Sequence, residues 1–228
     1  MKYGIAAIVL ATAVSAFSAH AAQVVLAPTN VIGSSSYYTA CCSFQPGNIL
    51  DQQSGPVTEA FGSGYWLNPD NGPANAFITV DLGQVTSLSS VQLFNTHNGP
   101  YNDRGTGNFT IQGSNTVADL GGGNFALVAA TTIVSGTLTT ENSAASAATA
   151  QTFAAAGAYR YISFDPTSVA VSGAPCCGAN NYGLDELRVF SAVPESASWA
   201  LMFAGFGGLG LSLRTRRSTS KVAARARP

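Results

Sequence analysis

Charge is scarce in this chain. Lys, Arg, Asp and Glu make up only 9% of its 228 residues, which excludes a disordered protein kept open by charge. Its 24 glycines fall far short of one in three, which excludes a collagen-like repeat. Histidine is rarer still, with only His20 and His97 present. Catalytic signatures are missing too: the sequence has no Gly-x-Ser-x-Gly elbow, His-Glu-x-x-His zinc helix, Walker loop or dinucleotide-binding unit. Carboxylate pairs for sugar hydrolysis meet only in a fold, so spacing alone leaves a hydrolase open. What charge there is lies segregated. All eleven acids fall between Asp51 and Glu195, whereas six of the ten bases crowd the last fifteen residues. The middle carries only Arg104, Arg160 and Arg188 as bases and is strongly acidic, so it repels phosphate backbones and argues against nucleic-acid binding.

The two ends are addresses. Lys2 precedes an apolar run from Ile5 to Phe17, and Ala19-His20-Ala21 gives the small-x-small pattern of a signal-peptidase site. Residues 1–21 are therefore expected to be a secretory signal peptide, with a retained transmembrane helix as the alternative. At the other end, Ala197 to Leu213 is uncharged and as a helix would span about 25 Å, just enough for a hydrocarbon core of about 30 Å. Arg214, Arg216 and Arg217 follow at once, so the positive-inside rule keeps the tail cytoplasmic and the body outside. A buried, glycine-rich core helix is the alternative. Val193-Pro194-Glu195-Ser196, the apolar run and the arginines together resemble the PEP-CTERM sorting signal of exopolysaccharide-producing Gram-negative bacteria. Ser196 stands where that family usually has a second proline. The resemblance implies handling by an exosortase near Pro194 and Glu195, transient anchoring through the helix, and delivery to the cell surface or matrix.

Between residues 22 and 193 the pattern is period-two alternation broken by Gly, Pro, Asn and Asp, with no long amphipathic helix. Ile78, Val80 and Leu82 share one face of a strand that Gly83 is expected to end. Val91 and Leu93 repeat the pattern within Ser90 to Asn95. Further strands are predicted at Asn108 to Gly113, Phe125 to Ala130, Thr131 to Ser135, Tyr159 to Phe164 and Glu186 to Phe190. Ser135 to Gly157, rich in Ala, Ser and Thr, reads as a weakly specified strand pair or loop. Short strands at this spacing predict an all-β antiparallel jelly-roll sandwich. Trp66 and Phe77 are expected in its core, since both adjoin strong strand patterning.

The order of these pieces resembles a discoidin or coagulation-factor type C domain, of the galactose-binding-like fold. Asn48-Ile49-Leu50-Asp51, Tyr65-Trp66, Phe77 to Gly83, Asn102 to Ser114, Tyr159-Arg160-Tyr161-Ile162 and Gly183 to Phe190 carry the resemblance. It implies binding rather than catalysis. It also implies a structural calcium held by backbone oxygens and, by position, Asp51 and Glu186. The following Gln52-Gln53-Ser54-Gly55 lacks the second acid of many members.

Cys41-Cys42 and Cys176-Cys177 are adjacent pairs in a chain expected to reach an oxidising compartment, so disulfides are the default. Joining neighbours needs a strained ring, which favours bridges between the pairs. Each closes a loop of roughly 135 residues, and chain entropy gives about 5 kcal/mol for the first and much less for the second. Zinc is the alternative, against the usual ligand spacing.

Asn95 to Arg104 is the most site-like loop. Sugars present apolar C–H faces and a fan of hydroxyls, which call for aromatic rings beside amide, carboxylate or guanidinium groups. His97, Asn98, Tyr101, Asn102 and Arg104 have those types, and Tyr182, near the second cysteine pair, could line the same end. The alternative is a polar turn in which Asp103 or another carboxylate braces Arg104. The leading expectation is thus a non-enzymatic, exported module contacting exopolysaccharide or other surface glycans. A structural or adhesive matrix protein binding protein partners is the second reading, and an exported hydrolase the third.

Overall fold

Strand Ile78–Phe94 is seventeen residues long and pairs on both sides near each of its ends. It organises the rest of the protein, which is described here from a computed structural model covering residues 21–39, 44–52, 64–96, 104–139, 148–170 and 180–192. In chain order the strands before it are Ala22–Gln23 (β1), Val31–Ser34 (β2) and Trp66–Leu67 (β3), and the long strand is β4. Gly105–Thr106 (β5), Asn108–Ser114 (β6), Thr116–Asp119 (β7), Phe125–Val128 (β8) and Thr131–Thr137 (β9) follow. Ala150–Ala154 (β10), Ala158–Pro166 (β11), Val169–Ala170 (β12), Gly183–Leu184 (β13) and Glu186–Ser191 (β14) complete the set. Every pairing is antiparallel, and the helical content of the described residues is two short 3-10 turns, Pro28–Asn30 and Pro46–Leu50.

The N-terminal half of β4 lies between β2 and β11, and that layer continues through β6 to β9. Its C-terminal half lies between β14 and β10, with β1 outside β14. The expected all-β antiparallel sandwich is therefore present, with one strand serving both layers.

Hydrophobic alternation explains the core. Ile78, Val80 and Leu82 point inward from one half of β4, and Val91 and Leu93 from the other. They meet Phe109 and Ile111 of β6, Ile162 and Phe164 of β11, and Leu187 and Val189 of β14. Trp66 is fully buried and meets Phe164 edge-on at 6.4 Å, in line with its expected core role. Each such large side chain contributes about 1.5–3 kcal/mol on burial. Phe77, expected in the core beside it, is only half-buried.

Inward positions on β4 are even-numbered up to Leu88 and odd-numbered from Val91. A strand can change its inward face only by an irregularity of one residue. The ladder to β14 supplies it: register slips between Phe190 and Ser191, where Ser89 donates its hydroxyl to the Phe190 carbonyl at 3.1 Å.

Gly83 does not end the strand as expected. It adopts φ +82°, and its N–H donates to Asp81 Oδ1 at 2.8 Å, so the ladder bends there and runs on. The same carboxylate takes a two-pronged ion pair from Arg160, at 3.0 and 2.9 Å, which holds Asp81 below the usual carboxylate range. No helix among the described residues is long and apolar enough to cross a membrane, and the expected signal peptide and the span at 197–213 lie outside those residues.

A Cβ at residue 83 has open space around it but must adopt a left-handed backbone. Gly83→Ala is therefore expected to lose about 1 kcal/mol, read from urea unfolding, with no loss of folded secondary structure.

Candidate functional site

Beyond the end of β4, the chain places a fully buried amide, Asn95, among three loop bases. Its Nδ2 donates to the carbonyls of Thr106 at 2.9 Å and Thr139 at 3.0 Å. Its Oδ1 accepts the N–H groups of Thr106 at 2.9 Å and Thr96 at 3.1 Å. Thr96 and Arg104 flank residues 97–103, and Thr139 precedes residues 140–147. One side chain thus fixes both sides of the first loop and the start of the second. Thr106 extends the brace by donating its hydroxyl to the Gly183 carbonyl at 2.7 Å. Gly183 must be glycine, since a Cβ there would lie 2.5 Å from the Arg104 carbonyl oxygen and 2.7 Å from a Thr96 methyl.

A second amide layer lies alongside. Asn68 Nδ2 donates to the Asn180 carbonyl at 2.6 Å, and Asn181 Nδ2 donates to the Asn68 carbonyl at 2.8 Å and to Asp70 at 3.1 Å. Buried polar groups must be paired, and an amide both donates and accepts without the cost of burying a charge. Sequence reasoning missed Asn68, Thr106 and Asn181 and read Asn95 only as the first residue of the site-like loop, because nothing in their spacing separates a buried polar side chain from a turn residue.

The expected ligand residues divide. Arg104 is half-buried beside this network, at the C-terminal side of the site-like loop. Tyr182 is not a ligand platform as expected: only 2% exposed, its ring belongs to the main core. Its hydroxyl donates to Asn180 Oδ1 at 3.0 Å, and burial pushes the phenol above the usual tyrosine range. His97, Asn98, Tyr101 and Asn102 lie outside the described residues, as do Cys41, Cys42, Cys176, Cys177 and the sorting residues Pro194, Glu195, Arg214, Arg216 and Arg217.

The flanks of the cysteine segments converge on Leu67. Tyr38 donates its N–H to the Leu67 carbonyl at 2.9 Å, and Gly183, which follows the second segment, pairs with Leu67 across the β3–β13 ladder. Tyr38, Phe44 and Tyr65 pack edge-to-face beside them, with Phe44 and Tyr65 buried, so these aromatics are packing.

The acids implied for calcium, Asp51 and Glu186, meet beside Gln52. Asp51 closes the 3-10 turn at Pro46–Leu50, and Gln52 follows at φ +63°. The Gln52 amide donates to Glu186 Oε1 at 2.8 Å, and Arg188 Nε lies 3.8 Å from the same oxygen. Glu186 is fully buried. An N–H donor and a guanidinium turned on that oxygen disfavour a cation at Oε1. Among the described residues, no group of three or more His, Cys, Asp or Glu could hold a metal.

A family model, the F5/8 type C domain, matches residues 32–180. The chain belongs to that family. Its F5/8 type C domain is also similar to solved structures that it covers almost end to end. One is chitosan-binding module 1 of a chitosanase/glucanase from Paenibacillus sp. IK-5, at 20% identity over 75% of this chain and 99% of that one, TM-score 0.45. A second is the family 32 module of Clostridium perfringens NanJ in complex with galactose, at 14% identity over 74% and 98%, TM-score 0.47. A third structure, another Clostridium perfringens module, solved with GalNAc-β-1,3-galactose, has 12% identity over 75% and 100%, TM-score 0.47. No curated protein matches the chain.

Within this F5/8 type C domain, Asn95→Ala strips partners from two N–H groups and two carbonyls, and is expected to cost about 3 kcal/mol in urea unfolding. Asn95→Asp sets a carboxylate against two carbonyls, which raises its pKa in the folded state. Its deficit should therefore be larger at pH 7 and partly recovered at pH 4.

Proposed function

We propose that this F5/8 type C domain is an exported, non-catalytic binding module that contacts exopolysaccharide or another surface glycan at the loop end around Asn95. The observation that carries the reading is the buried Asn95 amide, which ties down the bases of two neighbouring loops by four hydrogen bonds. Loops held in this way can present side chains without a large ordering cost on binding. The loop between Thr96 and Arg104 carries His97, Asn98, Tyr101 and Asn102, whose ring faces and polar groups suit a sugar's C–H face and hydroxyls.

Delivery follows from the two ends. In this reading residues 1–21 are removed as a signal peptide, residues 22–193 form the binding body, and residues 194–228 are a PEP-CTERM-type sorting segment. The helix at about 197–213 anchors the protein while an exosortase acts at Pro194 and Glu195. The destination is the surface or matrix of a Gram-negative cell. Bridges between Cys41-Cys42 and Cys176-Cys177 would staple the body, a pairing supported by the convergence of their flanks on Leu67.

The test is binding of the full chain, made in an oxidising compartment and kept in a sugar-free detergent, to the producing cell's exopolysaccharide with and without calcium. Binding is expected in both conditions and should fall at least tenfold in Tyr101→Ala. Absence of binding in every condition would replace this reading with a matrix protein that binds other proteins. Separately, a reductant is expected to lower the melting temperature by several degrees, and an unchanged value would remove the staples.

A further inference from the structure

The outer face of the layer that holds β11 and β6 carries a row of polar side chains. Thr110 and Gln112 of β6 stand opposite Asp165 and Ser163 of β11, pointing away from the core side occupied by Phe109, Ile111, Ile162 and Phe164. The β7–β8 hairpin folds over this row. It is fixed at its base, where Ser114 donates its hydroxyl to the Val128 carbonyl at 2.5 Å, and at its tip. There Asn124 exchanges two hydrogen bonds with the backbone of Ser34, at 2.8 and 3.1 Å. The result is a groove of about 460 Å³, with a polar floor between walls that include Phe77 and Leu127. That is the size of a small-ligand site.

Its charge is unbalanced. Among the described residues, Asp165 is the one ionisable residue lining the groove, and no Lys, Arg or His lines it. The β6 strand, the hairpin and the segment 74–77 bring no other titratable side chain into it. Ser163 donates its hydroxyl to Asp165 Oδ1 at 2.5 Å, and burial pushes the carboxyl up to about 6. A half-buried carboxylate of this kind gains most from a cation that arrives with the ligand.

We propose that this groove is a second ligand site, separate from the loop end, which takes a sugar bearing a protonated amine. The ammonium group meets Asp165, ring hydroxyls meet Thr110 and Gln112, and the C–H face lies against Phe77 or Leu127. Acidic sugars are repelled by the same carboxylate. The inference does not depend on the loop-end reading, because it uses different residues on a different face.

Calorimetric titration of the full chain with a glucosamine trimer at pH 7 tests it, with the N-acetylated trimer as the uncharged control. The glucosamine trimer is expected to bind at least tenfold more tightly than the control. Asp165→Asn should lose that preference, and so should Leu127→Arg, which supplies a protein cation to the groove. Lowering the pH from 7 to 5 protonates Asp165 and should weaken binding by the parent about tenfold, while leaving the Asn variant flat. Folding of Asp165→Asn is checked by its melting temperature. The raised carboxyl pKa means that ionisation destabilises the parent as pH rises from about 4 through 6, so the variant should melt higher at pH 7 and near the parent at pH 4. Equal binding by Asp165→Asn, equal binding of the N-acetylated trimer, or no binding of glucosamine at all would overturn the proposal. So would binding that is lost in Tyr101→Ala and kept in Asp165→Asn, which places the amine sugar at the loop end.

Discussion

One backbone strand must serve two layers. A β-strand offers alternate residues to each side, so a single phase of alternation cannot fill the core from both halves of Ile78–Phe94 once the sheet has folded across itself. The glycine bend at Gly83 and the slipped register at Ser89 resolve this, the first by turning the strand and the second by changing which parity faces inward. Everything at the loop end follows from where that strand stops. Leu93 is the last odd-numbered core residue, and two positions later the same inward direction delivers Asn95 into the interior instead of to solvent.

Much of the architecture was legible from alternation alone. Ile78, Val80 and Leu82, then Val91 and Leu93, were readable as inward sets because apolar periodicity and burial are the same physical fact seen twice. The continuity of β4 was not readable. Glycine signals a break in a strand pattern as readily as a bend, and only the neighbouring strands, β11 and β14, decide between them. The candidate site was legible in part. The loop before Arg104 was recognisable by its side-chain types, whereas Asn95 looked like its first polar residue and turned out to be its buried fastening. Tyr182 misled for the converse reason: an aromatic beside loop residues reads as a platform until its burial is known. Asp165 gave no sequence signal at all, since its significance lies in the hairpin that covers it and in the absence of a basic side chain among the described residues that line its groove.

The interior polarity of the protein has a consistent chemistry. A chain with few charges braces its loops with amides: Asn95 matches both backbone donors and acceptors, while Asn68 and Asn181 donate to backbone carbonyls. Such bonds are short-ranged and indifferent to salt, unlike surface ion pairs. Where the family resemblance implied a metal ion between two acids, Gln52 and Arg188 face Glu186, which pairs with Phe94 at the same end of β4.

Asn124 has a role besides holding the hairpin. Strand β2 pairs with β4 along one side, and its other side would present open backbone groups to any passing chain. The Asn124 side chain accepts from the N–H of Ser34 and donates to its carbonyl, as a residue of an adjoining strand would. At Ser34 the sheet is thereby closed against its own kind, so crowding of many copies does not extend one molecule's sheet into the next through that position.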